Sequence, residues 1–244
     1  MDKFQEPLTS SEWAEHYNIK QINSVVSIIK SGDVQPWAKE LLNIIPEGSR
    51  CLEIGCGSGI SSLWLAKNNR SVVALDYTSE SIALVKNSAT KLDIKIDVCC
   101  HDATTALPFE YGEFDYIYQC GLLEHFDTKK QIELLSNWGK YGRNMISMIP
   151  NSVSLPYMIG KNMMENSGTW EYGLEIPKNS MAQEFCAAGF SEIKEYSIGS
   201  EWSTKFLPEN HILKRAFLEL LSDGYDLDKL GQGYLLVTTG RGLL

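Results

Sequence analysis

The stretch Leu52-Glu53-Ile54-Gly55-Cys56-Gly57-Ser58-Gly59-Ile60-Ser61 decides how the rest of the chain is read. An apolar run breaks into three glycines at alternate positions, and a helical pattern follows. An apolar run with little alternation reads as a strand covered on both faces. Glycines directly after such a strand allow a tight turn and close approach of a ligand to the backbone, beside the free N–H groups of a helix N-terminus. The dinucleotide fingerprint Gly-x-Gly-x-x-Gly would need its third glycine at position 60, which is Ile60, and no Gly-Lys-Ser/Thr ending marks a phosphate loop. A ligand other than a pyrophosphate is favoured.

Outward from this turn, short apolar runs alternate with amphipathic stretches, the pattern of an α/β sheet. Strands are expected over 50–54, 71–75, 95–100, 114–119, 144–149, 192–198 and 234–239, with helices over 60–68, 79–92, 128–139 and 180–188. Thr78 or Ser79 is the expected N-cap of the second of these helices. Residues 1–49 read as an N-terminal helical cap with helices over 11–17, 21–31 and 35–44, too small for a core of its own. Residues 50–244 read as the main domain, with insertions at about 150–179 and 199–231, the latter carrying a helical run over 211–222. Connections of that length in an α/β protein are usually functional.

Two further carboxylates narrow the ligand. Asp76 ends the second strand, 21 residues after Gly55, where an acid hydrogen-bonds ribose hydroxyls. Asp102 follows the third strand and is placed to accept from an exocyclic amine, while Glu53 would repel a phosphate and attract a cation. A ribose, an amino-bearing base and a positive charge without phosphates describe S-adenosyl-L-methionine.

With these motifs in order, the sequence resembles the class I S-adenosylmethionine-dependent methyltransferase family over roughly residues 35–196. The first motif is Leu52-Glu53-Ile54-Gly55-Cys56-Gly57-Ser58-Gly59, the second Val73-Ala74-Leu75-Asp76-Tyr77-Thr78 and the third Cys100-His101-Asp102-Ala103. Phe114-Asp115-Tyr116-Ile117-Tyr118-Gln119-Cys120-Gly121-Leu122-Leu123-Glu124-His125-Phe126 resembles the fourth strand and its turn. The resemblance implies a Rossmann-like seven-stranded, mostly parallel sheet with a reversed last strand and helices on both faces. It also implies S-adenosyl-L-methionine as cofactor and S-adenosyl-L-homocysteine as product. Gly55 and Gly57 would line the methionine part, Asp76 the ribose and Asp102 the adenine amino group. Tyr77 would pack near the adenine and Gln119 would lie across the cofactor, with Cys56, Gly59 and Ala103 in the same motifs.

Displacement at a sulfonium needs alignment and, for a hydroxyl or ammonium nucleophile, a base. His125, just past the fourth strand, is the candidate, with Glu124 beside it. His16 and Tyr17 lie on helices that in this family often fold over the cofactor. Asn151, Tyr157, Trp170, Tyr172 and Glu175 in the first insertion are candidates for substrate contacts, and Trp202 and Phe206 in the second would cover the pocket or form a dimer face. Their aromatic and carboxylate content suits a small polar or cationic molecule.

The 244 residues carry 43% hydrophobic and 22% charged residues, excluding a wholly disordered or collagen-like chain. A net charge of −9 argues against a nucleic-acid partner. Six cysteines without Cys-x-x-Cys spacing read as free thiols in a reducing compartment, and they and the four scattered histidines give no metal signature. Residues 1–7 lack a leader pattern and no window spans a membrane, so a cytoplasmic protein is expected. The reading is a methyltransferase acting at oxygen or nitrogen of a small organic molecule, with a homodimer left open. The alternatives are a protein or RNA methyltransferase, or a catalytically inactive cofactor-binding partner of a complex.

Overall fold

The computed structural model describes residues 6–242. The first five residues of the expected cap and of the stretch read for a leader, and the last two of the main domain, lie outside the described residues. In chain order, the cap region holds α1 (Ser10–His16), α2 (Ile22–Ser31) and α3 (Pro36–Ile44). Then follow β1 (Arg50–Ile54), α4 (Ile60–Lys67), β2 (Ser71–Asp76), α5 (Ser79–Leu92), β3 (Asp97–Cys100) and β4 (Phe114–Cys120). The second half holds α6 (Thr128–Trp138), β5 (Gly142–Pro150), α7 (Leu155–Ser167), α8 (Ala182–Ala187) and β6 (Ser191–Ile198). It ends with α9 (Ser200–Ser203), α10 (Ile212–Ser222) and β7 (Leu235–Arg241).

The strands form one seven-stranded sheet in the order β3-β2-β1-β4-β5-β7-β6. β1 to β5 pair parallel, and β7 runs antiparallel to both β5 and β6. This is the expected mostly parallel sheet with a reversed last strand. The alternation of β1 explains the two covered faces. Leu52 and Ile54 enter a core with Leu134, Leu135, Trp138 and Phe185 of α6 and α8. Cys51, one residue before Leu52 in the pleat, packs on the other face with Leu41 of α3 and Leu65 of α4. Val25 and Ile29 of α2 and Leu84 and Val85 of α5 close a third cluster around α4.

Helix α4 departs from the one-faced amphipathic helix that the sequence suggests. Ile60, Ser61, Ser62, Leu63 and Leu65 are all buried, because α4 is wedged between the sheet and α2, α3 and α5. The close fit shows at Gly59, which caps α4 at φ +69°. A Cβ there would stand 2.3 Å from Cγ2 of Val85. Helix α7 lies in the connection read as the first insertion, outside the helices expected from the sequence.

Because both the left-handed backbone and the Val85 contact oppose a side chain at this position, Gly59→Ala should cost about 2–4 kcal/mol in a urea unfolding series. Adding Val85→Ala should recover the steric part only, since the backbone strain remains. A Gly59→Ala variant as stable as the parent would show that α4 and α5 are free to separate.

Candidate functional site

Parallel strands deliver their C-terminal ends to one edge of the sheet, and the reversed β7 delivers its start there too. Along this edge lie Asp102 after β3, Asp76 at the end of β2, the glycine turn after β1, Gly121–His125 after β4 and Tyr234 before β7. They line a cavity of about 610 Å³. From β1 to β7 is three strand spacings, about 14 Å.

At the β1–β2 end the turn is held from the side. The buried Asp76 accepts from the Gly57 N–H at 2.9 Å, and from the N–H and hydroxyl of Thr78 at 2.9 and 2.8 Å. Thr78 is the N-cap residue of α5, but its hydroxyl bonds Asp76 and Ser81 in place of a helix N–H. Gly57 sits at φ +49°, and a Cβ there would lie 3.0 Å from the Tyr17 ring, so the aromatic ring lies flush on the bare backbone. Asp102 is exposed and accepts from the Thr104 N–H at 2.8 Å. Ala103 lines the wall beside it, and Tyr77 stands exposed at the rim. Burial pushes the Cys56 thiol well above its ordinary range, leaving a small neutral wall residue.

Glu53 is buried between β1 and α4, where it accepts from the Ser62 N–H at 3.1 Å, the Ser62 hydroxyl, and the Tyr118 hydroxyl at 3.4 Å. Burial lifts its carboxyl to about 8 despite these bonds.

After β4 the buried Gln119 turns away from the cavity. Its amide donates to the Ser147 hydroxyl at 2.6 Å, and its carbonyl accepts from the N–H groups of Leu122 and Leu123. It shapes the turn that presents Glu124 and His125, and it is not on the wall, contrary to the position expected for it. His125 Nδ1 lies 2.6 Å from the Leu174 carbonyl. A carbonyl only accepts, so Nδ1 carries the proton and Nε2 is the basic nitrogen of the neutral ring. Burial depresses the His125 pKa, partly offset by the Leu174 and Gly121 carbonyls, so the ring is neutral near pH 7.

The first insertion and the cap meet over the cavity. Leu174 N–H donates to the Glu6 carbonyl at 2.9 Å, and Ile176 N–H to the Glu124 carbonyl at 2.8 Å. His16 Nε2 lies 3.0 Å from the Glu171 carbonyl and the ring stacks on Tyr172, so His16 staples the cover from outside and does not reach the wall. Tyr17, Tyr172 and Glu175 do line it. Asn151, Tyr157 and Trp170 do not. Asn151 donates to the Gly231 and Gly233 carbonyls, Tyr157 donates to Glu175, and Trp170 donates to the Gly173 carbonyl. Each was expected at the substrate, and each holds backbone or a wall residue from behind. Gly59 also lies off the wall, against Val85.

The sequence reading missed Trp13, Gln35, Trp37 and Tyr234, all on the wall. For Tyr234 a signal existed: a reversed last strand brings its start to the edge where the others end. Among the described residues, no group of three or more His, Cys, Asp or Glu is arranged to hold a metal, and no helix is long and apolar enough to cross a membrane.

The family model described as "Methyltransferase domain" matches residues 51–143. The matched segment runs from β1 to the start of β5, and the sheet order and the glycine turn agree with that match. A demethylmenaquinone methyltransferase of Bacillus cereus (strain ATCC 10987 / NRS 248) is 28% identical over 145 residues, covering 57% of this chain and 59% of that protein. The chain thus spans 59% of the length of the curated relatives it matches. Magnesium protoporphyrin IX methyltransferase (ChlM) from Synechocystis PCC 6803, solved with bound SAM, aligns with TM-score 0.53 and 13% identity over 91% of this chain and 79% of its own. The [4+2]-cyclase SpnF aligns with TM-score 0.55 and 15% identity over 84% of this chain and 79% of its own. At such identities the likeness is one of fold.

Because the Glu53 carboxyl sits near 8 in the folded chain against an ordinary 4.5, folding takes up a proton between those values. Its contribution to stability is therefore lost as pH rises from about 4.5 through 8. Glu53→Gln cannot ionise, so urea midpoints at pH 5 and pH 8.5 should differ less for the variant than for the parent. Parallel pH profiles would show that Glu53 stays charged in the fold.

Proposed function

We propose that the chain transfers a methyl group from S-adenosyl-L-methionine to an oxygen or nitrogen of a small organic molecule. The observation that carries this reading is one cavity with two chemically different ends. The β3–β2–β1 end offers bare glycine backbone and acid acceptors, and the β4–β7 end offers a basic histidine nitrogen in an enclosed aromatic wall. A volume of about 610 Å³ lies within the range of small-molecule sites.

The residues at the first end suit this cofactor. Among the described residues no lysine or arginine lines the cavity, which disfavours a phosphorylated ligand and favours one that brings positive charge. Asp76 keeps lone pairs beyond those used by Gly57 and Thr78, enough to accept from ribose hydroxyls. Asp102 has a free oxygen for an adenine amino group, with Ala103 and Tyr77 beside the base. Gly55, Cys56 and Gly57 would flank the methionine part, with Glu53 behind them. When bound, the cofactor supplies an electrophilic methyl carbon on a sulfonium and becomes S-adenosyl-L-homocysteine.

The chain's part is then to hold the acceptor in line, exclude water and take up a proton. Tyr17 and the 171–176 segment cover the cavity, and His125 Nε2 is the proton acceptor. An enclosed wall without cations supports a small acceptor over RNA or a protein side chain. The quinone and porphyrin methyltransferases among its relatives agree with that class.

Calorimetry should show binding of both cofactor forms, with Asp76→Asn weakening S-adenosyl-L-homocysteine by about 10–100-fold through loss of a charge-assisted acceptor. Failure of both forms to bind would sink the reading. A labelled-methyl screen against metabolite extracts separates transfer from the non-transferring chemistry that the same fold supports in SpnF. With the acceptor it identifies, His125→Ala should lower kcat by about 10²–10⁴-fold while leaving homocysteine-product affinity within about twofold. Unchanged turnover would leave alignment alone as the catalytic device.

A further inference from the structure

The β4–β7 end of the cavity carries acceptors that no group of the protein satisfies. Glu124 is 1% exposed and lines the cavity, yet its Oε2 has no hydrogen-bond partner among the described residues. The same holds for Oε1 of Gln35, on the same wall. A buried acceptor left unmet costs about 1–3 kcal/mol, more if charged, so two in one cavity point to a donor-rich occupant. Glu175, also on the wall, accepts from Tyr157.

Among the described residues no cation touches either acid, and Lys161 acts on Glu175 only from a distance. Neither Glu124 nor Glu175 has an ion-pair partner among the described residues. The nearby Lys161 pairs with Glu165 and lies over the Trp170 ring at 4.4 Å, and neither residue is on the wall. The remaining wall is aromatic. Trp37 meets Trp202 edge-on at 5.1 Å and Tyr234 at 6.1 Å, and Phe206 meets Tyr234 at 4.9 Å. Trp13 stands edge-on to His125 at 5.3 Å and stacks on Tyr17. Aromatic faces with an uncompensated carboxylate attract an organic ammonium by cation–π and charge-assisted hydrogen bonding. A carboxylate or phosphate in the same place would find no lysine or arginine among the described wall residues to answer its charge.

We propose that this end of the cavity binds the acceptor through a protonated amine, which docks on Glu124 and Gln35 within the Trp37–Trp202–Tyr234 wall. This deepens the methyl-transfer reading and rests on it for the amine being part of the acceptor.

The test is calorimetry at pH 7 on the full chain saturated with S-adenosyl-L-homocysteine, whose own amino group is then already placed. The probes are benzylamine, benzyl alcohol and benzoate. Benzylamine should bind at least about tenfold more tightly than the alcohol, with benzoate weaker than both, and Glu124→Gln should reduce the amine-to-alcohol ratio to within about threefold. Alcohol or benzoate binding as tightly as the amine in the parent chain overturns the proposal, and this comparison needs no variant to fold. A ratio that survives Glu124→Gln overturns the assignment to Glu124. Should the homocysteine product fail to bind while the amine preference stands in the protein alone, the methyl-transfer reading fails and the cation site remains. If the product binds and the ratio is near one, the reverse holds.

Discussion

The Gly57 N–H donates to the Asp76 carboxylate across 2.9 Å, tying the turn after β1 to the end of β2. Much of the site hangs on this bond. It fixes a glycine-rich stretch of backbone with few side chains of its own to pack, and it does so with a carboxylate that is itself held by Thr78 at the start of α5. The turn in turn sets where α4 begins, which places Ser62 over Glu53 and brings Gly59 against Val85. Tyr17 then closes down on Gly57, so the cap is seated on the same few atoms. A ligand at this end would bind to a surface already organised by the fold, with little left to order on binding.

Acid content is the second theme. Glu53, Asp76, Asp102, Glu124 and Glu175 all line one cavity, and among the described residues no lysine or arginine does. Grouping like charges in a poorly solvated place destabilises the empty protein, and burial answers by raising proton affinity at Glu53 and, with help from the Glu175 charge, at Glu124. Such a cost is tolerable where a ligand repays it. A cofactor carrying a sulfonium and an ammonium answers part of the charge, and a cationic acceptor answers the part that the cofactor end leaves. The net charge of −9 thereby has a local counterpart.

What the sequence made legible follows the range over which each feature is encoded. The strands were readable because most are local apolar runs bounded by turn residues, and β1 matches its expected limits, 50–54, whereas the reversed direction of β7 came only with the family resemblance. The glycine turn, Asp76 and Asp102 are local to strand ends and were placed from spacing alone. Helix α7 was not, since its Pro156, Gly160 and several polar residues blur the helical period. Gln119 was legible as a strand-end residue, but whether an amide there faces a ligand or its own turn depends on Ser147, which lies 28 residues away. Asn151, Tyr157 and Trp170 have the right chemistry for a pocket, and only tertiary packing shows them bracing it from behind. Trp37, Trp202 and Tyr234 meet across nearly 200 residues of chain, and no periodicity records such a meeting.

The two ends of the cavity therefore differ in how far relatives can inform them. The methyltransferase-domain match covers 51–143, which holds the glycine turn, Asp76, Asp102, Glu124 and His125. Gln35, Trp37, Glu175, Trp202, Phe206 and Tyr234 all lie outside it. A shared core can thus preserve the donor end while the cap, the 150–179 connection and the approach to β7 rebuild the acceptor end from other residues. His125 stands inside the matched segment yet is oriented by Leu174 from outside it. The tautomer of the proposed base is accordingly set by the same insertion that closes the cavity, so acceptor enclosure and base orientation are coupled through a single hydrogen bond.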